Sequence, residues 1–228
     1  MKLSKETIEV LKTFSTINNG IMLNPGNFIM TRSVNGAVYA HAEVQDDIDL
    51  EVAIYDLNGF LSVVSLFEDL EISMNSDGDM VLKDKATTII LSGADPSAIV
   101  YPKKAINIPS TCFSVELSGH VIQQLKRVAR GLLNIDTVSI ENKDGFIYLN
   151  GYNAKGDTQL SRVLYSAKLG EYDGANTFKF FINMDNLRIQ NEDHILSVWA
   201  SGQQQVAKFE SKTMTHVVAM EDGSRHDF

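Results

Sequence analysis

Positive charge in this sequence collects where it could hold phosphate. Lys126, Arg127 and Arg130 fall in the segment Ser118–Leu132, which contains no acidic residue. Lys126 and Arg130 are four apart and share one face of a helix. Near the start of the chain Lys5 and Lys12, seven apart, align in the same way, and Lys2 adds to that end. Glu6 and Glu9 are expected to rotate away from this second stripe. Lysine and arginine on a helix surface, with no aromatic platform or base-reading set beside them, give salt-sensitive and sequence-independent contact with a phosphate backbone. An ordinary solvated helix face presents the same stripe. Its recurrence at two related places favours phosphate. With so few cations per chain, firm retention on a nucleic acid would need several copies or a topological link.

Other chemistries lack their residues. His41, His120, His194, His216 and His226 are isolated in sequence and form neither an HExxH nor a Cys/His cluster. Cys112 has no neighbouring histidine and reads as a small packed side chain. No GxSxG, Walker or GxGxxG sequence occurs. The run Asp46-Asp47-Ile48-Asp49 lacks the glycine and terminal glutamate of a calcium loop and reads as a solvated turn entering a strand. No nucleophile, base and oxyanion stabiliser assemble. The expectation is a protein without catalysis, metal or cofactor.

The elements that must position these cations repeat at half the chain length. Leu3–Lys12 reads LSKETIEVLK and Leu117–Lys126 reads LSGHVIQQLK, an offset of 114 in a chain of 228 residues. Each segment reads as a helix, with Ser4 and Ser118 as N-caps whose oxygens accept first-turn amide hydrogens. Ile8, Leu11 and Ile17 recur at helical spacing in the first, and Val121, Ile122, Leu125, Val128 and Leu132 in the second. A β-hairpin follows each helix, turning at Asn35-Gly36 and at Asp144-Gly145, pairs that supply the positive φ of tight turns. Ile48–Tyr55 then reads as a strand leading through Asp56 to a helix Leu57–Phe67. In the second half Phe178–Ile182 leads to a short helix Met184–Ile189. Further strands are expected at Leu70–Asn75, Met80–Lys83, Thr87–Leu91, Ile195–Ala200, Gln205–Glu210 and Thr213–Met220. The fold class is α+β, two copies of one domain: 1–104 and 112–228, joined by an extended connector over 105–111 beside Pro102 and Pro109.

Composition bounds the setting. The formal charge is −9, which excludes indiscriminate wrapping of nucleic acid by the whole surface and leaves the local distribution decisive. A single cysteine suits a reducing cytoplasm. No apolar run approaches the ~20 residues of a membrane span, and the N-terminal MKLSKETIEV has no apolar signal region.

The sequence resembles, from end to end, the DNA polymerase sliding clamps (processivity factors) of large myovirus-type tailed bacteriophages. The likeness is carried by NFIMTRSVNG from Asn27, VAIYDLNGFL from Val52, QQLKRVARGL from Gln123, LNGYN from Leu149, EYDGANTF from Glu171, FINM from Phe181, AKFES from Ala207 and the terminal SRHDF. It implies a DNA-clamp fold with two similar domains per subunit and six in a head-to-tail homotrimeric ring, with helices lining the channel and antiparallel sheets outside. It implies double-stranded DNA, the replicative DNA polymerase, an ATP-dependent clamp loader, and late-transcription factors with host RNA polymerase as partners, no membrane, and the host bacterial cytoplasm as location. Carried over, Lys5, Lys12, Lys126, Arg127 and Arg130 would face DNA, although Lys126 stands where the family pattern is commonly apolar. The RGLLNID stretch after that helix is one residue longer than the family's form. An apolar partner pocket would draw on Tyr101, Ile106, Ile108, Val217 and Ala219, for which ordinary core positions are the alternative. The ring contact would pair Ser97–Tyr101 with a strand Leu160–Leu169, placing Ser97, Tyr101, Ser161 and Leu169 at the subunit interface. The rivals are a phage structural or assembly protein with a duplicated β-rich fold, and a DNA-binding protein without a ring.

Overall fold

The computed structural model describes every residue except Pro109, Leu132 and Leu133. The chain divides into two compact units, Met1–Ile106 and Asn107–Phe228. The division falls in the stretch 105–111 expected as connector, of which Pro109 lies outside the described residues.

The first unit opens with helix α1 (Lys5–Ile17), which starts because Ser4 Oγ accepts from the Thr7 N–H at 3.2 Å. It buries Thr7, Val10, Leu11, Phe14 and Ile17, and Ile8 stays half-buried at the margin. Helix spacing puts Phe14 on the same side as Val10 and Leu11 and makes it the centre of the apolar face. At the end of α1, Asn18 donates its amide to the carbonyls of Arg32 (3.0 Å) and Val100 (2.7 Å). Strands β1 (Ile21–Leu23), β2 (Gly26–Arg32), β3 (Val38–Ile48) and β4 (Val52–Ile54) follow, with β1 paired to β4 and β2 to β3, all antiparallel. The β2–β3 turn has Gly36 at φ +74, the backbone setting that the Asn-Gly pair announces. The single strand expected over Ile48–Tyr55 is in fact the end of β3 followed by the separate β4.

Helix α2 (Leu57–Val64) is capped by Asp56, whose side chain accepts from the Gly59 N–H at 2.9 Å. It stops three residues short of the expected Phe67. Ser62 and Ser65 each turn their hydroxyls back onto the carbonyls of Asn58 (2.8 Å) and Ser62 (2.6 Å), a competition that weakens a helix end. A three-stranded sheet closes the unit: β5 (Glu71–Met74), β6 (Asp79–Lys83) and β7 (Thr88–Ser92), in the order β5-β6-β7. Ser97 does not begin a strand. Pro96–Ala98 is a 3-10 turn held by Asp95, which accepts from the Ser97 N–H at 2.8 Å.

The second unit opens with β8 (Phe113–Leu117), a strand that the reading above lacks, and helix α3 (Gly119–Arg130). Then come β9 (Thr137–Lys143), β10 (Phe146–Tyr152), β11 (Tyr165–Glu171), β12 (Phe178–Asn183), β13 (His194–Ser201), β14 (Gln204–Glu210), β15 (Thr215–Ala219) and β16 (Arg225–His226). They form one sheet in the order β11-β10-β9-β12-β16 and a second run in the order β15-β14-β13-β8. The β9–β10 turn places Asp144 and Gly145 at φ +50 and +78, as a tight hairpin requires. The expected helix Met184–Ile189 is only a 3-10 turn, Met184–Asn186. Leu187 and Ile189 are both buried, 4% and 2% exposed. With Leu187 at φ −82 and ψ 63 the chain has already left helical geometry, and both side chains are buried from irregular chain. The expected strand Leu160–Leu169 pairs from Tyr165 onward. Ahead of it, the Asp157 carboxylate accepts from the N–H groups of Ser161 (2.8 Å) and Arg162 (2.9 Å) and folds the segment into a turn.

Candidate nucleic-acid interface

Helix α1 presents Lys5 and Lys12 to solvent, as its spacing predicts. Glu9 does not rotate away from them. It lies four residues after Lys5 and three before Lys12, and the Lys12 Nζ donates to its carboxylate at 2.7 Å. One of the two lysines is therefore already partnered by an acid on the same exposed face.

Helix α3 is different. Its N-cap Ser118 accepts from the Val121 N–H at 3.4 Å, and its last turn carries Arg127 and Arg130. Cations there also complement the negative end of the helix dipole. Both arginines are exposed, and among the described residues neither enters an ion pair. Leu132, placed in this helix by the sequence reading, lies outside the described residues, as does Leu133 of the RGLLNID stretch.

Lys126 departs from the expected phosphate-facing set. Its side chain is half-buried and its ammonium donates to the backbone carbonyl of Ile189. Burial, and after it the nearby charge of Arg130, lowers its pKa below the ordinary lysine value. The sequence holds the reason: Lys126 follows the buried Ile122 by four residues and the buried Gly119 by seven, so it belongs to the inward stripe.

Each helix start also receives a carboxylate from far along the chain, which local sequence reading missed. The Ser4 N–H donates to Asp46 Oδ2 at 2.6 Å, and the Gly119 N–H donates to Asp193 Oδ1 at 2.8 Å. These acids satisfy orphan donors and suit the positive end of a helix. Burial pushes the Asp46 carboxyl up, but hydrogen bonds from Thr7 and Ser4 outweigh it and hold the group below the usual aspartate value. Asp46 is therefore a capping residue at the end of β3 and not part of a solvated turn.

The remaining site expectations scatter. Tyr101 is half-buried and packs against the cluster Met22, Ala53 and Ile99 of the first unit. Ile106 is 46% exposed. In the second unit Ile108 and Ala219 are half-buried, whereas Val217 is 5% exposed and belongs to the core. Ser97 and Ser161 are exposed turn residues. Leu169 lies on β11, at the edge of its sheet, where the pairing shifts register between Ile147 and Tyr148 of β10. β7, at the edge of its three-stranded sheet, carries Ile90, which is 59% exposed. His194 is buried, its Nδ1 lying 2.6 Å from the Glu192 carbonyl, and His41 lies against the rings of Phe28 and Tyr39. Among the described residues no three His, Cys, Asp or Glu side chains are grouped as metal ligands would be, and no helix is long and apolar enough to cross a membrane.

The arrangement of helix and sheet in these units is that of the DNA sliding clamps. The fold is similar to the proliferating cell nuclear antigen of Entamoeba histolytica, with a TM-score of 0.67 at 11% identity over 94% of each chain. It is also similar to the DNA polymerase III β chain of Streptococcus pneumoniae, with a TM-score of 0.63 at 17% identity, over 95% of this chain and 63% of that one. Within that class, residues 4–101 match the family model described as DNA polymerase processivity factor, and residues 114–222 match gp45 sliding clamp, C terminal. The sliding clamps of Enterobacteria phage T4 and Escherichia phage RB69 are 51% and 50% identical to this chain over the full length of both partners. The sliding clamp of Vibrio phage KVP40 is 28% identical, over 97% of this chain and 99% of that one. The chain belongs to the T4-type phage sliding-clamp family, the DNA polymerase processivity factors.

Proposed function

We propose that this sliding clamp works as a closed, head-to-tail homotrimeric ring around duplex DNA, with the exposed faces of α1 and α3 turned to the phosphates. The observation that carries the reading is the acid-free exposed face of α3, on which Arg127 and Arg130 enter no ion pair among the described residues, in a chain of formal charge −9. An acidic exterior repels DNA and leaves the basic helices as the place where phosphate is welcome. Contacts of this kind are loose and carry no sequence information. Topology then supplies retention, and attachment of the replicative polymerase makes its rebinding intramolecular at high effective concentration.

Ring closure suits edge-strand pairing between subunits, a heterologous contact that closes by rotation. The edges that fit are β7, in place of the Ser97–Tyr101 segment, and β11, each unpaired on one side within its own sheet. Other clamps of this fold take partner peptides: the A. fulgidus PCNA binds the C-terminal region of FEN-1, and the Helicobacter pylori β clamp binds a DNA ligase peptide. By that likeness the clamp is a non-catalytic platform in the host bacterial cytoplasm. An ATP-dependent loader opens it, and it serves the polymerase and, through late-transcription factors, the host RNA polymerase.

The test is a singly nicked circular DNA incubated with clamp, loader and ATP. The clamp is expected to stay on the circle and to run off once the circle is cut. Retention on linear DNA with free ends rejects the ring. No association under any loader condition favours a structural protein.

A further inference from the structure

Helix α3 has the stronger charge and the narrower apolar base. It buries only Gly119, Ile122 and Leu125, whereas α1 buries five residues, Phe14 among them. What α3 lacks in apolar grip it makes up with directed contacts, one from the Tyr165 hydroxyl, which donates to the Val121 carbonyl at 3.3 Å, and the rest to one segment, residues 189–194. At its start the Gly119 N–H donates to Asp193 Oδ1 at 2.8 Å. A Cβ on Gly119 would stand 2.8 Å from both the Asn191 carbonyl oxygen and Glu192 Cα, so backbone meets backbone there. Two turns further on, Lys126 reaches the Ile189 carbonyl.

We infer that Lys126 is a positioning residue, which with Gly119 and Asp193 fixes the roll of α3 on residues 189–194 and so sets where Arg127 and Arg130 emerge. The physical case has three parts. Apolar burial is non-directional, so Ile122 and Leu125 hold the helix down without fixing its rotation. Hydrogen bonds lose strength steeply with angle, and two of them about 10 Å apart along the axis fix both rotation and slide. With side chains reaching roughly 5–6 Å from the axis, a roll of about 30° moves an arginine head by about 3 Å, more than a phosphate contact tolerates.

An ammonium here is costly. Desolvation lowers its affinity for the proton, and Arg130 lowers it further. Replacing such a group by an apolar side chain of similar volume is commonly neutral or stabilising. The presence of a lysine here is then explained by orientation and not by stability. The repulsion from Lys126 also favours Arg130 conformers that point outward.

This inference rests on the reading that α3 faces DNA, and the experiment separates the two. In a Cys112→Ser background with Gln124→Cys on the exposed face, a nitroxide label reports the motion of α3. Loader-driven loading onto nicked circles is measured in parallel at rising NaCl. For Lys126→Met in the full-length clamp the expected result is an unchanged or higher thermal midpoint, at least a doubling of the label's mobile fraction, and several-fold slower loading. Lys126→Arg, which keeps a donor and a charge, is expected to restore both. If Lys126→Met leaves label and loading unchanged while Arg127→Gln slows loading, the inference is overturned. If Arg127→Gln and Arg130→Gln have no effect on loading, the DNA-facing reading fails, and label mobility alone decides the seat. Should Lys126→Met not fold, Asp193→Asn, which weakens the other anchor at constant volume, is expected to loosen the label. An unmoved label there overturns the inference too.

Discussion

Helices α1 and α3 stand at equivalent places in the two halves of the chain. Each is entered through a serine cap with a distant aspartate on its first turn, yet they are held and charged by different means. α1 is an apolar helix with a moderated charge: five buried residues beneath, and a surface on which Glu9 offsets Lys12. α3 is a cationic helix with a polar seat: three buried residues beneath, an inward lysine, and two arginines with no acid among them. Two helices related by the half-chain repeat thus share their mode of entry and differ in what seats them and in the charge they expose. One helix carries the broader apolar base, and the other carries the positive charge that, in the function proposed above, a phosphate backbone meets.

The largest expected effect tests the apolar side of this contrast. Phe14→Ala should cost about 3–5 kcal/mol in urea unfolding, because a fully buried ring is lost with partial collapse of the site. Ile122→Val, the smaller truncation beneath α3, should cost about 1 kcal/mol. Equal losses from Phe14→Ala and Leu125→Ala would break the contrast, since they would show α3 resting on apolar packing as much as α1 does.

Next in size are the capping carboxylates. Asp46→Ala is expected to cost about 1 kcal/mol at neutral pH, read as a shift in denaturation midpoint. Because the folded-state pKa of Asp46 lies below its unfolded value, this stability is fully present above about pH 4. It fades as the pH falls through the folded pKa. The gap between wild type and variant should therefore close on acidification. A gap that is constant down to strong acid would show that Asp46 acts through something other than its charge.

Much of this contrast was legible in the sequence. The serine caps, both hairpin turns with their positive-φ residues, and the offset of one half-chain follow from local rules of backbone and side-chain geometry. Two features were legible and misread. Glu9 is at helical neighbour distance from both lysines, so counting only the seven-residue interval hid it. Lys126 is four beyond Ile122, so the apolar stripe itself assigns it inward. The carboxylates of Asp46 and Asp193 leave no local trace, being 42 and 74 residues from the amides they accept from. Only the folded chain brings them there. The Met184–Ile189 segment failed for a different reason: its apolar spacing does not distinguish a helix from a 3-10 turn followed by irregular chain, which is what forms there.

The smallest effects concern the charge side. Arg127→Gln should flatten the dependence of DNA association on log salt by about one unit per subunit, as loss of one phosphate contact does. Lys12→Gln should flatten it by less, because Glu9 already shares that cation. Glu9→Gln should steepen it slightly while changing stability by under ~0.5 kcal/mol. Equal slopes for the Arg127 and Lys12 variants would remove the distinction between the two helices.

The Lys12–Glu9 pair has a consequence for motion along DNA. In the three-subunit ring proposed above it would make alternate helices strong and weak, so the duplex would meet three dominant cationic patches in place of six equal ones. One third of a turn of a duplex with about 10–10.5 base pairs per turn is about 3.3–3.5 base pairs, which is not a whole number. The three patches would then not meet equivalent phosphates together, and as one contact was lost another would be gained. The energy along the path stays nearly level, which is the condition for a bearing that turns without detents.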